Sequence, residues 1–179
     1  MKPAPHLSDE AERLEALRAL GALDAAPNDA LDRITSALAS ALNVPTALVS
    51  LVDADRQWFA SRVGLACEQT PRAPAICAHA IAAPGLFVVP DTLRDERFFD
   101  NPLVTGPPFI RAYAGAPLVL DGGRAVGTLC AIDHLPREFD AQQLALLGYL
   151  RDLAVQQLRL LPLRARLARP GWPRWPGRA

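Results

Sequence analysis

The segment Leu48–Ser61 constrains the fold of this chain more than any other part of the sequence. It begins with an apolar run that reaches Val52, continues through a polar turn at 53–56, and ends in a second run that carries Trp58 and Phe59. Two such runs on either side of a short polar turn predict a β-hairpin. The strands of a hairpin are antiparallel, so this segment indicates a sheet that is at least partly antiparallel.

Helices are predicted before the hairpin, where apolar residues recur at helical spacing. We expect the first helix to begin at Ser8, which can cap it, and to end at Gly21. The second helix is expected between Asn28 and Pro45, because Pro45 cannot continue a helix. Its apolar side consists of Leu31, Ile34, Leu38 and Leu42.

The middle of the chain alternates between strand-like and irregular segments. Strands are predicted at 86–90, 112–119 and 125–132, and a short helix at 76–82. Irregular loops are predicted at 65–75 and, over a greater length, at 91–108. This order of elements predicts an α+β layer fold. We expect a central antiparallel sheet of about five to six strands, with the terminal helices on one face and the loops and short helices on the other.

The last predicted helix has more apolar surface than one sheet can cover. It begins at a capping-box pair, Asp140 and Gln143, and is expected to end at Leu161, because Pro162 stops it. A helix that is apolar on several sides is normally buried, so we predict a parallel homodimer through the terminal helices. Its leucines are Leu144, Leu146, Leu147, Leu150, Leu153, Leu158 and Leu160.

The length and composition are those of one globular domain. The chain has 179 residues, half of them apolar, and no net charge, so it needs neither disulfides nor a metal for stability. We expect a flexible N-terminus at 1–7, a domain at 8–161 and a tail at 162–179. The N-terminus lacks the apolar core of a signal peptide and no apolar run approaches the length of a membrane span, so we expect a cytoplasmic location.

The tail raises a separate question, because it is rich in Arg and Pro and carries Trp172 and Trp175. This composition is typical of a disordered extension, which we favour. Basic residues beside Trp also occur in segments that bind a membrane surface or a nucleic acid, and we keep both as alternatives. Only this tail follows Leu161, so any output is expected to pass through a dimer, the tail or a signalling partner protein.

Five fragments, taken in order, resemble the GAF sensory domains of bacteria. They are the hairpin, then Val88–Asp91, Asn101–Pro108, Tyr113–Leu118 and Gly127–Asp133. The resemblance covers residues 8–160. The order of the fragments is similar to that in the GAF domains that precede histidine kinases and diguanylate cyclases. It implies a GAF-like fold, a pocket between the sheet and the middle loops, and the sensing of a small molecule. Neither the ligand nor any cofactor is identified by it.

Arg111 and Tyr113 are the leading candidates for that pocket, because residues two apart on a strand point to the same face. Thr128 and Cys130 face alike on the next strand, and this arrangement would suit a small polar or anionic ligand. The alternative is that Arg111 forms a structural ion pair with an acid, either Asp91 or Asp53. The full set of candidate ligand-binding residues is Cys77, His79, Asp91, Arg97, Arg111, Tyr113, Thr128 and Cys130.

The cysteines support a second hypothesis. The spacing of Cys67 and Cys77 resembles that of two cysteines in the GAF-type free methionine-(R)-sulfoxide reductases, which implies either such an enzyme or a thiol redox sensor. The catalytic cysteine of those enzymes lies in the next long loop, but 91–108 contains no Cys here. We therefore predict a reversible Cys67–Cys77 redox pair and assign no catalytic residue. Cys77 and His79 are two apart on a helix and do not face each other, so they do not form a nucleophile–base pair.

Motifs for other ligands are missing from the sequence. The GAF domains that bind cyclic nucleotides often carry a motif that begins with Asn-Lys, and the only lysine here is Lys2. We find no Gly-rich phosphate loop and no cluster of Cys and His with zinc-site spacing, so no metal is predicted.

Overall fold

The computed structural model describes residues 1–5 and 7–167. Within them, six strands form one sheet in which every neighbouring pair is antiparallel, in the order β3-β2-β1-β6-β5-β4. The predicted α+β fold with an antiparallel sheet is therefore confirmed. The strands are β1 (Thr46–Val52), β2 (Arg56–Val63), β3 (Gln69–Pro71), β4 (Phe87–Val89), β5 (Ala112–Val119) and β6 (Ala125–Asp133).

Helices cover one face of this sheet, which we call the helix face, and loops and short helices cover the other, which we call the loop face. The long helices α1, α2 and α5 pack on the helix face, whereas α3 and α4 lie on the loop face. This division was predicted. The described α-helices are α1 (Glu10–Ala19), α2 (Asp29–Leu42), α3 (Ile76–Ala80), α4 (Pro102–Thr105) and α5 (Ala141–Leu167).

Small side chains on the strands let the helices approach the helix face closely. Leucines of the helices fill the space above these small side chains. Leu38, Leu147 and Leu158 are examples, each with no exposed surface. This packing forms an apolar layer between the helices and the sheet. The layer fixes the strands whose other side forms the loop face. The small residues are Ala47, Ala112, Ala114, Ala116 and Ala131.

The first helix differs from its prediction at one end. It begins at Glu10, after Asp9, and Ser8 does not cap it. Glu10 instead accepts hydrogen bonds from the buried Arg13 at 2.7 and 2.8 Å, which fixes the first turn through its side chains. The other end is as predicted, because Gly21 has a φ of +60° and ends the helix there.

The last helix is longer than predicted, since it continues through Pro162 to Leu167. The proline removes one backbone donor, but the residues after it are good helix formers and the helix resumes. The capping box at its start is confirmed, because Asp140 and Gln143 exchange hydrogen bonds of 2.8 and 3.1 Å between side chain and backbone. Predictions for residues 168–179 lie outside the described residues.

Two segments that were predicted to be irregular contain short elements. Strand β3 pairs with β2 within the segment 65–75, and α4 lies within the long loop 91–108. Both are too short to show a periodic apolar pattern. No helix in the described part of the chain is long and apolar enough to cross a membrane.

Candidate functional site

A cavity of about 240 Å³ lies on the loop face. Its floor is formed by β1, β2 and β6, and its walls by the loop before β3 and by residues 103–110. Leu48, Phe59, Ile110 and Ile132 contribute much of the lining, and none of the described lining residues carries a formal charge. The cavity therefore suits a molecule that is mostly apolar.

A short series of polar groups begins at the cavity wall. The buried Gln57 donates from Nε2 to Thr70 Oγ1 at 3.0 Å, and its Oε1 accepts from Ser50 Oγ at 3.0 Å. Ser50 lies opposite Thr128 on the neighbouring strand β6. Polar side chains thus lead from the cavity toward the centre of the loop face. Thr46 also lines the cavity and donates to the carbonyl of Gly64 at 3.4 Å.

Four of the predicted ligand-binding residues meet in that centre, and we call them the thiol cluster: Cys77, Tyr113, Thr128 and Cys130. Tyr113 Oη donates to Cys77 Sγ at 3.3 Å and lies within hydrogen-bond distance of Thr128 Oγ1 at 3.4 Å, and the two Sγ atoms are 4.0 Å apart. All four side chains are at most 3 % exposed. Tyr113, Thr128 and Cys130 therefore lie on one face of the sheet, and Cys77 of α3 packs against them.

The space that was predicted for a ligand above β5 is occupied by the protein itself. The ring of Tyr113 lies over Gly115, where an added Cβ would clash with the phenol oxygen. The small residue makes room for the tyrosine. The cavity consequently lies nearer to β2 than predicted, and none of the eight candidate ligand-binding residues lines it. Their role in ligand binding stays a prediction.

Arg111 forms an ion pair with Asp91, with Nη2 and Oδ1 3.0 Å apart. Asp91 also accepts from the backbone N–H of Leu93, so the pair holds the start of the long loop against β5. Of the two acids considered from the sequence, Asp53 pairs instead with Arg56. Arg111 thus has a counterion within the protein and does not require an anionic ligand.

His79 of α3 and Arg97 of the long loop both contact Phe98. Arg97 donates to both carboxylate oxygens of Asp95 at 2.8 and 2.6 Å, and its guanidinium stacks on Phe87 and Phe98. The His79 ring meets Phe98 edge-on, with ring centres 4.8 Å apart. Burial, together with the positive charge of Arg97, lowers the pKa of His79, which is therefore neutral at pH 7.

The cysteines are arranged differently from the predicted redox pair. Cys67 is exposed and lines the cavity, whereas Cys77 is buried and contacts Cys130. Sequence reasoning missed this contact and the role of Ser50 and Gln57. One signal was available, because Ser50 is the single polar residue in the apolar run of β1. Among the described residues, no group of three or more His, Cys, Asp or Glu is placed to hold a metal ion.

A wider groove of about 680 Å³ runs between residues 1–5 and the turn after β1. Its charged lining side chains are Glu10, Asp55 and Arg72, and Glu10 binds both Arg13 and Arg72. The hydrogen bond from Arg13, with a further contribution from Arg72, lowers the pKa of Glu10 to about 2. Glu10 and Arg72 thus neutralise each other within the protein, and we take the more enclosed cavity on the loop face as the candidate site.

Most of this chain is similar to known sequences. The family model of the GAF domain matches residues 26–158. A cyclic di-GMP phosphodiesterase of Pseudomonas aeruginosa is 40 % identical over 162 residues, which are 90 % of this chain. The chain spans only 28 % of the length of that relative.

Solved structures share the fold at lower identity. A free methionine-R-sulfoxide reductase of Neisseria meningitidis superposes with a TM-score of 0.62 at 20 % identity, over 92 % of this chain and 98 % of that one. The GAF domain of an Acinetobacter phosphoenolpyruvate-protein phosphotransferase gives 0.58 at 15 % identity, over 90 % and 97 %. These identities establish a common fold and nothing more about activity. With a family model that covers most of its length and a sheet, helices and loop layer of the same architecture, the chain belongs to the GAF domain family.

Proposed function

We propose that this GAF domain is a sensory module of bacterial signal transduction, and that it binds one small, uncharged molecule in the cavity on the loop face. The observation that carries the proposal is the lining of that cavity. Apolar side chains surround it, and the amide of Gln57 and the hydroxyl of Thr70 supply hydrogen-bonding groups at one wall. Such a lining fits an apolar body with one polar group.

The size and charge of the cavity restrict the ligand further. At about 240 Å³ it is smaller than the roughly 300–1,000 Å³ of pockets for drug-sized molecules. A phosphate group buried here would lose its hydration and gain no cation among the described lining residues. The relationship to a cyclic di-GMP phosphodiesterase therefore supports a regulatory role in such signalling, with a ligand different from the dinucleotide.

The helix α5 provides the proposed route of output. Its outer side carries exposed apolar residues, whereas Leu147, Ala154 and Leu158 on the opposite side are buried in the core. The exposed residues recur every three or four positions, as the a and d positions of a coiled coil do. We propose that a second copy of the chain covers this stripe in a parallel homodimer, which passes the signal to a partner protein. The stripe is Tyr149, Leu153, Leu160, Leu163 and Leu167, with the exposed polar Gln156 at one position among them.

A cytoplasmic location also forms part of the proposal. The three cysteines are free, and reduced thiols are the rule in that compartment.

Ligand binding is tested by filling the cavity. Leu103 is half-buried and lines it, so Leu103→Trp should block the cavity without unfolding the domain. Leu93→Trp is the matched control, because Leu93 is exposed on the same loop segment and does not line the cavity. In calorimetric titrations we expect indole, a neutral probe, to bind the wild type and Leu93→Trp but not Leu103→Trp. Binding of indole to all three proteins alike, or preferential binding of cyclic di-GMP, would contradict the proposal.

Dimerisation is tested separately. Leu153→Glu combined with Leu160→Glu should give a folded monomer in sedimentation experiments, because both residues are exposed on the stripe. The control combines Leu93→Glu with Leu135→Glu, which adds the same charge at exposed leucines elsewhere and should leave the dimer intact. A wild-type protein that sediments as a monomer at tens of micromolar would contradict the dimer.

One observation favours the alternative function, reduction of free methionine-(R)-sulfoxide: Cys67 is exposed and lines the cavity. The other two thiols are buried against each other and do not line the cavity. We expect no turnover of methionine sulfoxide with dithiothreitol above the level of a Cys67→Ser variant. Turnover that depends on Cys67 would replace the sensory proposal with the enzymatic one.

A further inference from the structure

The contact between Cys77 and Cys130 joins two layers of the molecule. Cys77 lies on α3 in the loop layer, Cys130 lies on β6 in the sheet, and they are 53 residues apart in sequence. Both residues are buried, and their Sγ atoms are 4.0 Å apart. A covalent bond between them would tie the loop layer to the sheet.

The polar groups around this contact make the two thiols unequal. The hydrogen bond from Cys130, with others from Thr128, Tyr113 and Ser50, lowers the pKa of Cys77 although burial opposes the change. The same contact, together with burial, raises the pKa of Cys130 well above its usual value. Cys77 therefore loses its proton first and is the better nucleophile, while Cys130 remains a thiol.

The cavity provides an approach to this pair. Leu48 lines the cavity and lies directly opposite Cys130 on the neighbouring strand, and Ile132, two residues further along β6, lines it as well. Gln57 and Ser50 add hydrogen-bonding groups between the cavity and the thiol cluster. A molecule of the size and polarity of hydrogen peroxide can therefore approach from this side, although neither sulfur is exposed.

We propose that Cys77 and Cys130 are a redox-responsive pair that a hydroperoxide converts to an intramolecular disulfide. The Cys77 thiolate attacks one oxygen of hydrogen peroxide, the O–O bond breaks, and hydroxide leaves and takes up the proton released by Cys77 to become water. The resulting Cys77 sulfenic acid is attacked by the sulfur of Cys130, which loses its proton, and a second water leaves. In sum, two thiols and one peroxide give one disulfide and two waters, and a dithiol reductant reverses the change.

Oxidation would rearrange the loop layer next to the cavity. The two sulfurs must approach from 4.0 Å to about 2.05 Å, so α3 and β6 must draw together or their side chains must rotate. Once bonded to Cys130, the sulfur of Cys77 would no longer be a thiolate that accepts the hydrogen bond from Tyr113. This proposal does not depend on a ligand in the cavity, because the oxidant and the two thiols are sufficient for it.

The test is peptide mapping of the full chain after mild treatment with hydrogen peroxide and alkylation of the remaining thiols. We expect a link between Cys77 and Cys130 that dithiothreitol removes, in the wild type and equally in Cys67→Ser. Because Cys67 is exposed, this control variant should fold normally. A link between Cys67 and Cys77, three free thiols, or a link between two chains through Cys67 would each overturn the proposal.

The approach through the cavity is tested by the rate of the same reaction. Leu103→Trp should form the disulfide several-fold more slowly than Leu93→Trp, because only the first substitution fills the cavity. Equal rates would overturn this route. A protein that forms the disulfide but binds no indole would refute the ligand proposal alone, so the two failures can be distinguished.

Discussion

Leucine and alanine fill most of the helix face of the sheet, where one hydrogen-bonded polar pair, Thr35 and Ser61, is also buried. The loop face holds Ser50, Gln57 and Thr128 among its apolar residues. Both faces are formed by the same strands, whose side chains alternate between them. The polar groups of the loop face have hydrogen-bond partners, which avoids the cost of burying them alone. The difference teaches that the helix face is stabilised mainly by close apolar packing, while the loop face combines hydrogen-bonded polar groups with a cavity.

The largest expected effect is a difference between the two faces in the loss of unfolding free energy when a buried leucine is shortened to alanine. Leu38→Ala on the helix face should lower the free energy of unfolding by about 3–5 kcal/mol, because Leu38 is fully buried and surrounded on all sides. Leu48→Ala on the loop face should cost only about 2–3 kcal/mol, because one side of Leu48 already borders the cavity. Urea denaturation of both variants measures the difference, and an equal or larger loss for Leu48→Ala would contradict it.

The second effect concerns Arg13, a buried charged residue beside the helix face. Arg13 is fully buried, donates to the carbonyl of Val52 at 2.7 Å and binds Glu10. Glu10→Gln should lower the free energy of unfolding by about 2 kcal/mol at pH 7, which is less than for a fully buried pair because Glu10 is partly exposed.

The pH dependence of this effect has a definite sign. The pKa of Glu10 falls from 4.5 to about 2 in the folded protein. Its contribution is therefore fully present above about pH 4.5 and is lost as the pH falls toward 2. Urea denaturation at pH 7 and at pH 3 should show a smaller difference between wild type and variant at pH 3. A difference that grows on acidification would contradict the assignment.

The third effect tests the thiol cluster. Tyr113→Phe removes the hydroxyl that donates to Cys77 and contacts Thr128, and should lower the free energy of unfolding by only about 1 kcal/mol. It should also slow disulfide formation by peroxide, because the Cys77 thiolate loses a donor. Stopped-flow alkylation after peroxide treatment measures this rate. A large loss of stability with an unchanged oxidation rate would show that the hydroxyl serves packing instead.

The smallest effect is expected at Arg111. Its pair with Asp91 is partly exposed, so Arg111→Ala should cost about 0.5 kcal/mol. The affinity for indole should not change, because Arg111 does not line the cavity. Calorimetry with the variant checks this result, and a clear loss of affinity would restore Arg111 to the ligand site.

Local sequence patterns were sufficient for much of the fold. The hairpin, the buried side of α2 and the capping box at Asp140 each depend on residues close together in sequence, and all three are confirmed. The alternation of strand residues also placed Tyr113, Thr128 and Cys130 on one face.

The details of the site could not be predicted from such patterns. Alternation gives the face on which Tyr113 lies, but not that its ring lies along the strand and fills the space above Gly115. The contact of Cys77 with Cys130 depends on the path of the loops that bring α3 onto β6. The spacing of Cys67 and Cys77 contains no information about that path.

The central claim is that the loop face, and not the helix face, receives the ligand. Methyl resonances of Leu, Ile and Val in a labelled sample, recorded during a titration with indole, test it most directly. We predict shifts for Leu48, Ile110 and Ile132 around the cavity, and none for Leu38, Leu118 and Leu129 on the helix face. Shifts confined to the helix face, or no shifts at saturating indole, would contradict the account.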